Sequence, residues 1–497
     1  MNKNSINISF LNLAAQSPSL ELNFAMSEKI HKESSEKKHI FFMCDRALTS
    51  CSVNVLNKRS ICSICTHKAK TGFKIFKERN PNSELIKVKR KDIKENSKIS
   101  NIDKYIDEEL LLGVHSTISS QLRLDNMDLL DKRWKKIKQK MYDSSKGLFF
   151  YFNKFLKEKK VENFIIFNGR LSCARPLLAA SKNNSTNFNL FDASVNGKVP
   201  MYAVNEMFHS INFEKRNALK TYVNFYSESN SIAEEYMFKK QNAILTNDHA
   251  YTENQTQGYI DKEILEFKKP LISIFVSSDD EYRFIGSDWA GFGLPDQVES
   301  IYKIINSTLS KKYDFVVKMH PNQKHIHKSI KERYVKLSKS VNVLLPENKT
   351  DTYSLVLHSD IILNFCSTVG AEANYLRKPV VQIGASRFRL LPVANYVNSP
   401  EEAIEIIQLK KFKLMPKRAS TVYFCYHGKT PFKLDAYKWI EDGVFTYGGK
   451  FIRAPFRLRL LAAFDKLHIH IIKGDKKIFS NLFMYASNLI LGTTKVK

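Results

Sequence analysis

The chain has 497 residues, of which 43% are hydrophobic and 26% charged; it is too long for one ordinary core and too apolar for wholesale disorder, so two α/β-sized domains with extensions are expected. Seven cysteines in that length exclude a disulfide scaffold, and the longest weakly polar stretch, Asn481 to Gly492, falls short of the roughly twenty residues of a membrane-spanning helix. A net charge of +28 attracts anions, whether nucleotide phosphates, lipid-linked acceptors, an anionic membrane or nucleic acid, without choosing among them.

Residues 1–37 are polar and weakly patterned, and they read as a poorly ordered lead-in. They lack the basic, apolar and small-residue succession of a secretory signal, so a cytoplasmic location with reduced thiols is expected. From His39 the pattern changes to a short apolar run, Ile40 to Met43, then a Cys-rich loop, then a Lys-dense stretch from Lys68 to Lys104 that reads as solvated surface. Leu110 to Leu124 and Met127 to Leu156 have helical periodicity, with Trp134, Ile137, Met141, Phe149 and Phe152 on one stripe. Asn163 to Phe167 is a predicted buried strand, Asn168-Gly169-Arg170 a turn, Leu171 to Ala180 a helix and Asn187 to Phe191 a further strand. A polar segment near residues 248–265 is the expected connection between domains.

Beyond it, strands at Leu271–Val276, Asp314–Lys318, Val341–Leu345, Ile361–Phe365 and Val380–Ile383 alternate with helices at Gln297–Leu309, Ile330–Ser338, Thr352–His358 and Val369–Leu376. That alternation predicts a parallel sheet wrapped by helices. After residue 405 the pattern fades into a basic tail with interleaved aromatics, as in Phe451 to Arg459. The tail is expected to pack back on the first domain, its other use being peripheral contact with an anionic membrane surface.

Three strand ends carry chemistry. Ser367 and Thr368 are delivered by a predicted strand to a helix start, where hydroxyls, free backbone N–H groups and the helix dipole favour phosphate; Gly370 permits close approach, and Glu372 can reach ribose hydroxyls. Lys318-Met319-His320-Pro321-Asn322 ends a buried strand in a His-Pro turn, and an imidazole there can donate to a phosphate or neutralise a leaving nucleotide. Ser277-Ser278-Asp279-Asp280-Glu281 follows the first strand of the set. Ligands of open α/β sheets sit at the carboxyl ends of strands, so these segments are expected to converge.

This combination, with Pro346 to Tyr353 leading into a helix and Ser-Thr-Val-Gly-Ala-Glu-Ala followed by Lys-Pro-Val-Val, resembles the capsule-polysaccharide and related surface-glycan transferases. That group includes bacterial sialyl- and Kdo-type transferases and, more distantly, polyol-phosphate polymerases. Met43-Cys44-Asp45, Phe167-Asn168-Gly169-Arg170 and Phe208-His209-Ser210 extend the resemblance over roughly residues 39–400; Cys366 before Ser-Thr departs from it. The resemblance implies an α/β GT-B fold, two Rossmann-like domains facing a cleft: 38–250 for the acceptor with the Cys-rich loop, and 265–405 for the nucleotide-sugar donor, with 406–497 as the C-terminal helical extension. It implies donor-site roles for His320, Ser367, Thr368 and Glu372, with Tyr353 beside the nucleobase; Ser277, Ser278, Glu281 and Lys318 join the candidate donor-binding set from their place at the same strand ends.

Transfer needs a base for the acceptor hydroxyl. Asp45 and His209 are the candidates, Asp192 is a third, and His320 joins the catalytic set at the leaving nucleotide. Arg170 and Arg175 can hold an anionic acceptor by two-pronged contacts. No Asp-X-Asp motif lies at the donor segments, so no cofactor is expected for catalysis. Cys44, Cys51, Cys62 and Cys65 are the expected ligands of a structural zinc, since four thiolates suit a tetrahedral ion. Two alternatives stand beside the glycosyltransferase reading: a transferase of polyol phosphate from a CDP-linked donor, and a zinc-ribbon nucleic-acid binder, although no nucleic-acid partner is expected if the strand ends are a site.

Overall fold

The computed structural model describes residues 5–34, 37–194, 197–207, 209–244, 255–429, 432–441 and 443–473. Contacts group into two units: Met1–Gln121 with Asn126–Phe208 and Phe432–Lys497, and Leu122–Asp125 with His209–Pro431. Both are α/β, each built on a six-stranded sheet.

The first sheet is formed by β1 (Ile6–Leu11), β2 (His39–Asp45), β3 (Ser83–Lys89), β4 (Val161–Phe167), β5 (Asn187–Ala193) and β6 (Pro200–Val204). Their order is β3-β2-β1-β4-β5-β6, parallel except for β6, which runs antiparallel to β5. Strands covered on both faces read as apolar runs whose neighbours point opposite ways. Phe41 packs with Phe24 and Phe76 on one face, with centroids 5.2 and 4.7 Å away. Phe42 packs with Phe152 of the helix Lys132–Glu158 on the other, at 5.1 Å, and Phe10 and Phe164 meet the same ring at 5.5 and 5.2 Å.

Residues 1–37 are therefore not a loose lead-in. β1 is a central strand, and the helix Ser19–Glu33 is buried along most of its length. The segment looked polar because Asn7, Ser9, Asn23 and Ser27 are buried with partners: Asn7 Nδ2 donates to Ser34 Oγ at 2.6 Å, and Ser9 Oγ lies 2.8 Å from Ser27 Oγ and 3.0 Å from His39 Nε2. The Lys-dense stretch likewise holds the helix Arg59–Arg79 and β3. On β3 the lysines 87 and 89 stay exposed while Ser83 and Val88 are buried, as befits an edge strand guarded by charge.

The second sheet is formed by β7 (Leu271–Phe275), β8 (Asp314–Lys318), β9 (Asn342–Leu344), β10 (Ile361–Asn364), β11 (Val380–Ile383) and β12 (Asn395–Val397), in the order β12-β11-β10-β7-β8-β9 and parallel throughout. Ile272, Ile274, Ile361 and Leu363 face one apolar layer, and Leu271, Phe275 and Ile362 the other.

Helices Ile211–Asn224 and Ser229–Gln241, expected with the first domain, group with the second unit. Their apolar faces, with Tyr222, Ile232 and Tyr236, share a core with Tyr423 and Phe424 of the helix Lys417–Gly428. The tail divides in the same way. Residues up to Pro431 belong to the second unit, whereas the hairpin β13 (Tyr437–Glu441) and β14 (Val444–Tyr447) and the helix Phe456–Lys473 belong to the first. Tyr447 Oη donates to Glu28 Oε2 at 2.8 Å, and Ser60 Oγ donates to Asp465 Oδ2 at 2.5 Å. The weakly polar stretch Asn481–Gly492 and residues 248–254 of the expected connection lie outside the described residues.

If β1 is core, Phe10→Ala, at a fully buried position, will lower the unfolding free energy by about 3–5 kcal/mol, the usual cost of emptying a buried aromatic site. Urea denaturation followed by tryptophan fluorescence measures it, and a loss under about 1 kcal/mol would return the segment to the status of a dispensable lead-in.

Candidate functional site

In the second sheet the chain runs outward from β7 through β8 to β9, then returns to β10 and continues through β11 to β12. The reversal lies between β7 and β10, the place where loops at the carboxyl edge diverge and leave a crevice. Register puts Phe275 opposite Lys318 on one side and Asn364 on the other. Two residues beyond that row stand Ser277, His320 and Cys366. The three segments singled out in the sequence thus leave one edge on three adjacent strands.

On the β8 side, His320 caps the short 3-10 turn Pro321–His325: its Nδ1 accepts from Asn322 N–H at 3.1 Å, and its own N–H donates to Gln323 Oε1 at 2.9 Å. A neutral imidazole accepting through Nδ1 carries its proton on Nε2, which makes that nitrogen a donor. On the β10 side, Cys366 is held at φ +55°, a left-handed conformation that few non-glycine residues adopt, at the turn from strand to helix. Ser367 Oγ accepts from Val369 N–H at 3.3 Å, Ser367 O accepts from Asn364 Nδ2 at 2.8 Å, and half-buried Thr368 stands at the start of the helix Val369–Tyr375. Gly370 is required there because a Cβ would come within 2.8 Å of Asn364 Nδ2 and 2.9 Å of Phe388 Cζ. The close approach it allows is to the protein's own strand.

The β7 loop is locked by a polar network. Ser277 and Gln297 exchange two hydrogen bonds of 3.0 Å, N–H to Oε1 and Nε2 to carbonyl, and Ser277 Oγ lies 2.7 Å from Tyr282 Oη. Ser278 Oγ donates to Asp280 Oδ1 at 2.6 Å and accepts from Arg123 at 3.1 Å. Arg123 also pairs with Asp280 at 2.8 Å, lies 3.6 Å from Glu281 and donates to Asn322 O at 3.2 Å, so one guanidinium ties the loops after β7 and β8 together. Nothing in the sequence marked it. Arg387, also unmarked, follows β11; its guanidinium grips buried Glu214 at 2.8 and 2.5 Å and acts electrostatically on the Cys366 thiol.

Several expected donor residues turn inward. Lys318 is 4% exposed and donates to Thr350 O at 2.7 Å, and burial pushes its ammonium down to about 8. Tyr353 and Glu372 are buried together, the phenol donating to Glu372 Oε2 at 3.2 Å. Burial and that carboxylate push the phenol well up. Ser277 and Ser278 are 7% and 2% exposed. His320, Thr368 and Glu281 are the more open members of the set.

The first sheet reverses between β1 and β4. Past β4, Asn168 at φ +62° and Gly169 at φ +78° form the turn, and Asn168 Nδ2 donates to Asp192 Oδ2 at 2.6 Å. Asp192 Oδ1 also accepts from Ala193 N–H at 2.8 Å; burial nevertheless raises this carboxyl to about 6. Asp45 ends β2 on the same edge and is half-buried. His209 belongs to the second unit, where its carbonyl accepts from Trp289 Nε1 at 2.7 Å; Phe208 lies outside the described residues. Arg175 is spent inside the fold: it is 2% exposed and makes a two-pronged pair, both contacts 2.8 Å, with Glu109. Arg170 remains at the turn and donates to Ser120 Oγ at 3.4 Å.

Cys44, Cys51, Cys62 and Cys65 line one pocket with Cys173, at the carboxyl edge of β1 and β2. They do not form a metal cage: among the described residues no three His, Cys, Asp or Glu side chains are grouped so as to hold an ion. Cys62 and Cys65 sit a turn apart on the helix Arg59–Arg79, not on a ribbon. Their sulfurs take hydrogen bonds from Asn54 Nδ2 and Ala15 N–H, both at 3.2 Å, while Cys173 Sγ lies 3.1 Å from Ser52 Oγ. Burial raises Cys44 to about 11 and Cys65 to about 12.

No protein-family model matches the chain, and no curated protein matches it. Solved structures similar to it include the KpsC beta Kdo 2,4 transferase of Thermosulfurimonas dismutans, with 15% identity over 54% of this chain and 79% of that one and a TM-score of 0.35. Others are the UDP-GlcNAc 2-epimerase from Neisseria meningitidis, with 11% identity over 85% and 95% and a TM-score of 0.25, and the wall teichoic acid polymerase TagF, with 11% over 86% and 84% and a TM-score of 0.23. These neighbours have GT-B-type folds; likeness at this level says nothing of what this chain binds or converts.

Lys318 gives a pH test of the buried edge. Its folded-state value lies below the ordinary value near 10.4. Between the two the unfolded chain binds more protons, so this group's contribution to stability grows as pH rises. The difference in unfolding free energy between wild type and Lys318→Met is expected to move in favour of wild type by up to about 3 kcal/mol from pH 7.5 to 10. A flat difference over that window would mean an exposed ammonium.

Proposed function

We propose that the chain is a glycosyltransferase that takes a sugar from a nucleotide donor held at the β7/β10 reversal and passes it to a growing capsular or lipopolysaccharide glycan. The reading is carried by one observation: His320 and the Ser367-Thr368 turn leave the same edge on the strands flanking β7. An imidazole donor on one side and hydroxyls with backbone N–H groups on the other suit a phosphate between them. The β1/β4 reversal is the matching place for acceptor recognition. There Asp192, raised to about 6, is better suited than an ordinary carboxylate to taking a proton near neutral pH.

Catalysis in this reading uses no metal. The acceptor is lipid-linked or otherwise presented at the cytoplasmic face of a membrane, which suits the net charge of +28. A nucleic-acid-binding ribbon finds no support in cysteines that belong to a helix and an apolar pocket.

Isothermal titration with CMP, UDP, GDP and CDP tests the donor site: one nucleotide is expected to bind, and His320→Ala to weaken it at least tenfold, about 1.4 kcal/mol. Failure of all four to bind would remove the proposal's basis. Unchanged affinity in His320→Ala would take His320 out of the site.

A further inference from the structure

The helix Phe456–Lys473 is amphipathic in the unexpected direction. It docks on the first unit through a narrow stripe, Ala462 and Ile469, which are 0% and 6% exposed, with Asp465 held by Ser60 and Lys58 on the same side. Phe456, Leu460, Phe464 and Ile471 follow at spacings that keep them on the opposite face. They are 48%, 37%, 64% and 53% exposed, and Leu461 beside them is 57% exposed. A folded chain does not leave such a row in water without a use.

Charge decides what covers it. Exposed Arg453 and Arg457 flank the row, with the Arg453 guanidinium 4.5 Å from the centroid of the exposed Phe451 ring and that of Arg459 5.9 Å from the Phe456 ring. The only carboxylate of the helix, Asp465, is tied inward. A second copy of the chain would bring the same cations against these, and nucleic acid would leave the phenylalanine and leucine side chains without an apolar partner. An anionic bilayer satisfies both: acyl chains take the apolar row and phosphates the arginines. No helix among the described residues is long and apolar enough to cross a membrane, so the helix would lie in the interface plane.

We infer that the outward face of the helix Phe456–Lys473, led by Phe456, Leu460, Leu461 and Phe464, is the surface by which the chain docks on a membrane rich in anionic lipid. This deepens the membrane-side setting proposed above and rests on it for its biological sense, while the contact itself stands on the helix. The test is co-sedimentation of the full chain with vesicles of phosphatidylcholine alone or mixed with phosphatidylglycerol. Binding is expected only to the mixed vesicles and to weaken as salt rises. Arg453→Gln and Arg457→Gln should each lower the partition coefficient roughly fivefold, and Leu461→Glu or Phe464→Glu should abolish binding with an unchanged circular dichroism spectrum. Equal binding to neutral vesicles, or full binding by Phe464→Glu, would overturn the inference. So would a dimer in analytical ultracentrifugation that Phe464→Glu converts to monomer. His320→Ala should bind vesicles like wild type, so loss of the nucleotide site and loss of the membrane face are read separately.

Discussion

A parallel sheet can grow in only two directions from its first strand, and the point where the chain changes direction cannot be covered by crossover connections from both sides. Each unit obeys this once, between β1 and β4 and between β7 and β10. The rest of the candidate chemistry depends on it. Ser277, His320 and Cys366 share an edge because parallel strands all end on the same side, and Asn168, Asp45 and Asp192 share the other sheet's edge for the same reason. Side chains chosen from distant parts of the sequence meet without any local signal linking them.

Burial on both faces has a cost that this chain meets with unusual polarity in its first sheet. A row of amides crosses four strands: Asn163 Nδ2 donates to Asn7 Oδ1 at 2.9 Å, Asn189 Nδ2 to Asn163 Oδ1 at 3.0 Å, and Tyr202 Oη to Asn189 Oδ1 at 2.6 Å. A buried amide without partners is expensive, whereas a row that completes itself fixes register, because a slip of one residue would break every link. The second sheet does the same with Asn364 Nδ2 and Gln382 Oε1 at 2.6 Å.

That row explains what the sequence hid. β8, β11 and the helix Thr352–His358 stand where periodicity put them, since apolar residues dominate their runs. β1 alternates apolar residues with Asn7 and Ser9, which reads as solvated until their buried partners are known. β3 hides behind its lysines as an edge strand. At the site, residue type and strand-end position were legible for His320, Ser367 and Thr368. Side-chain direction is not legible in the same way: Lys318, Tyr353 and Glu372 have the chemistry of donor ligands but are buried with partners inside the fold. Arg123 and Arg387 carry no sequence signal because their contacts depend on loops that only the fold brings near.

The two edges differ in a way that bears on their separate tasks. The second carries hydroxyls, an imidazole and arginines held by buried carboxylates, Arg387 by Glu214 and Arg123 by Asp280, beside an Asp279 carboxyl that burial raises to about 6. Holding a guanidinium from behind limits its freedom, so less entropy is lost when its outer edge meets an anion. The first carries Asp45, Asp192 and protonated thiols, with Arg175 withdrawn into its pair with Glu109. A carboxyl raised by burial and steadied by Asn168 is matched to handling a proton on a neutral hydroxyl, and is poorly matched to holding phosphate. The proposed sugar transfer asks for both kinds of chemistry, phosphate recognition for the donor and proton handling for the acceptor hydroxyl.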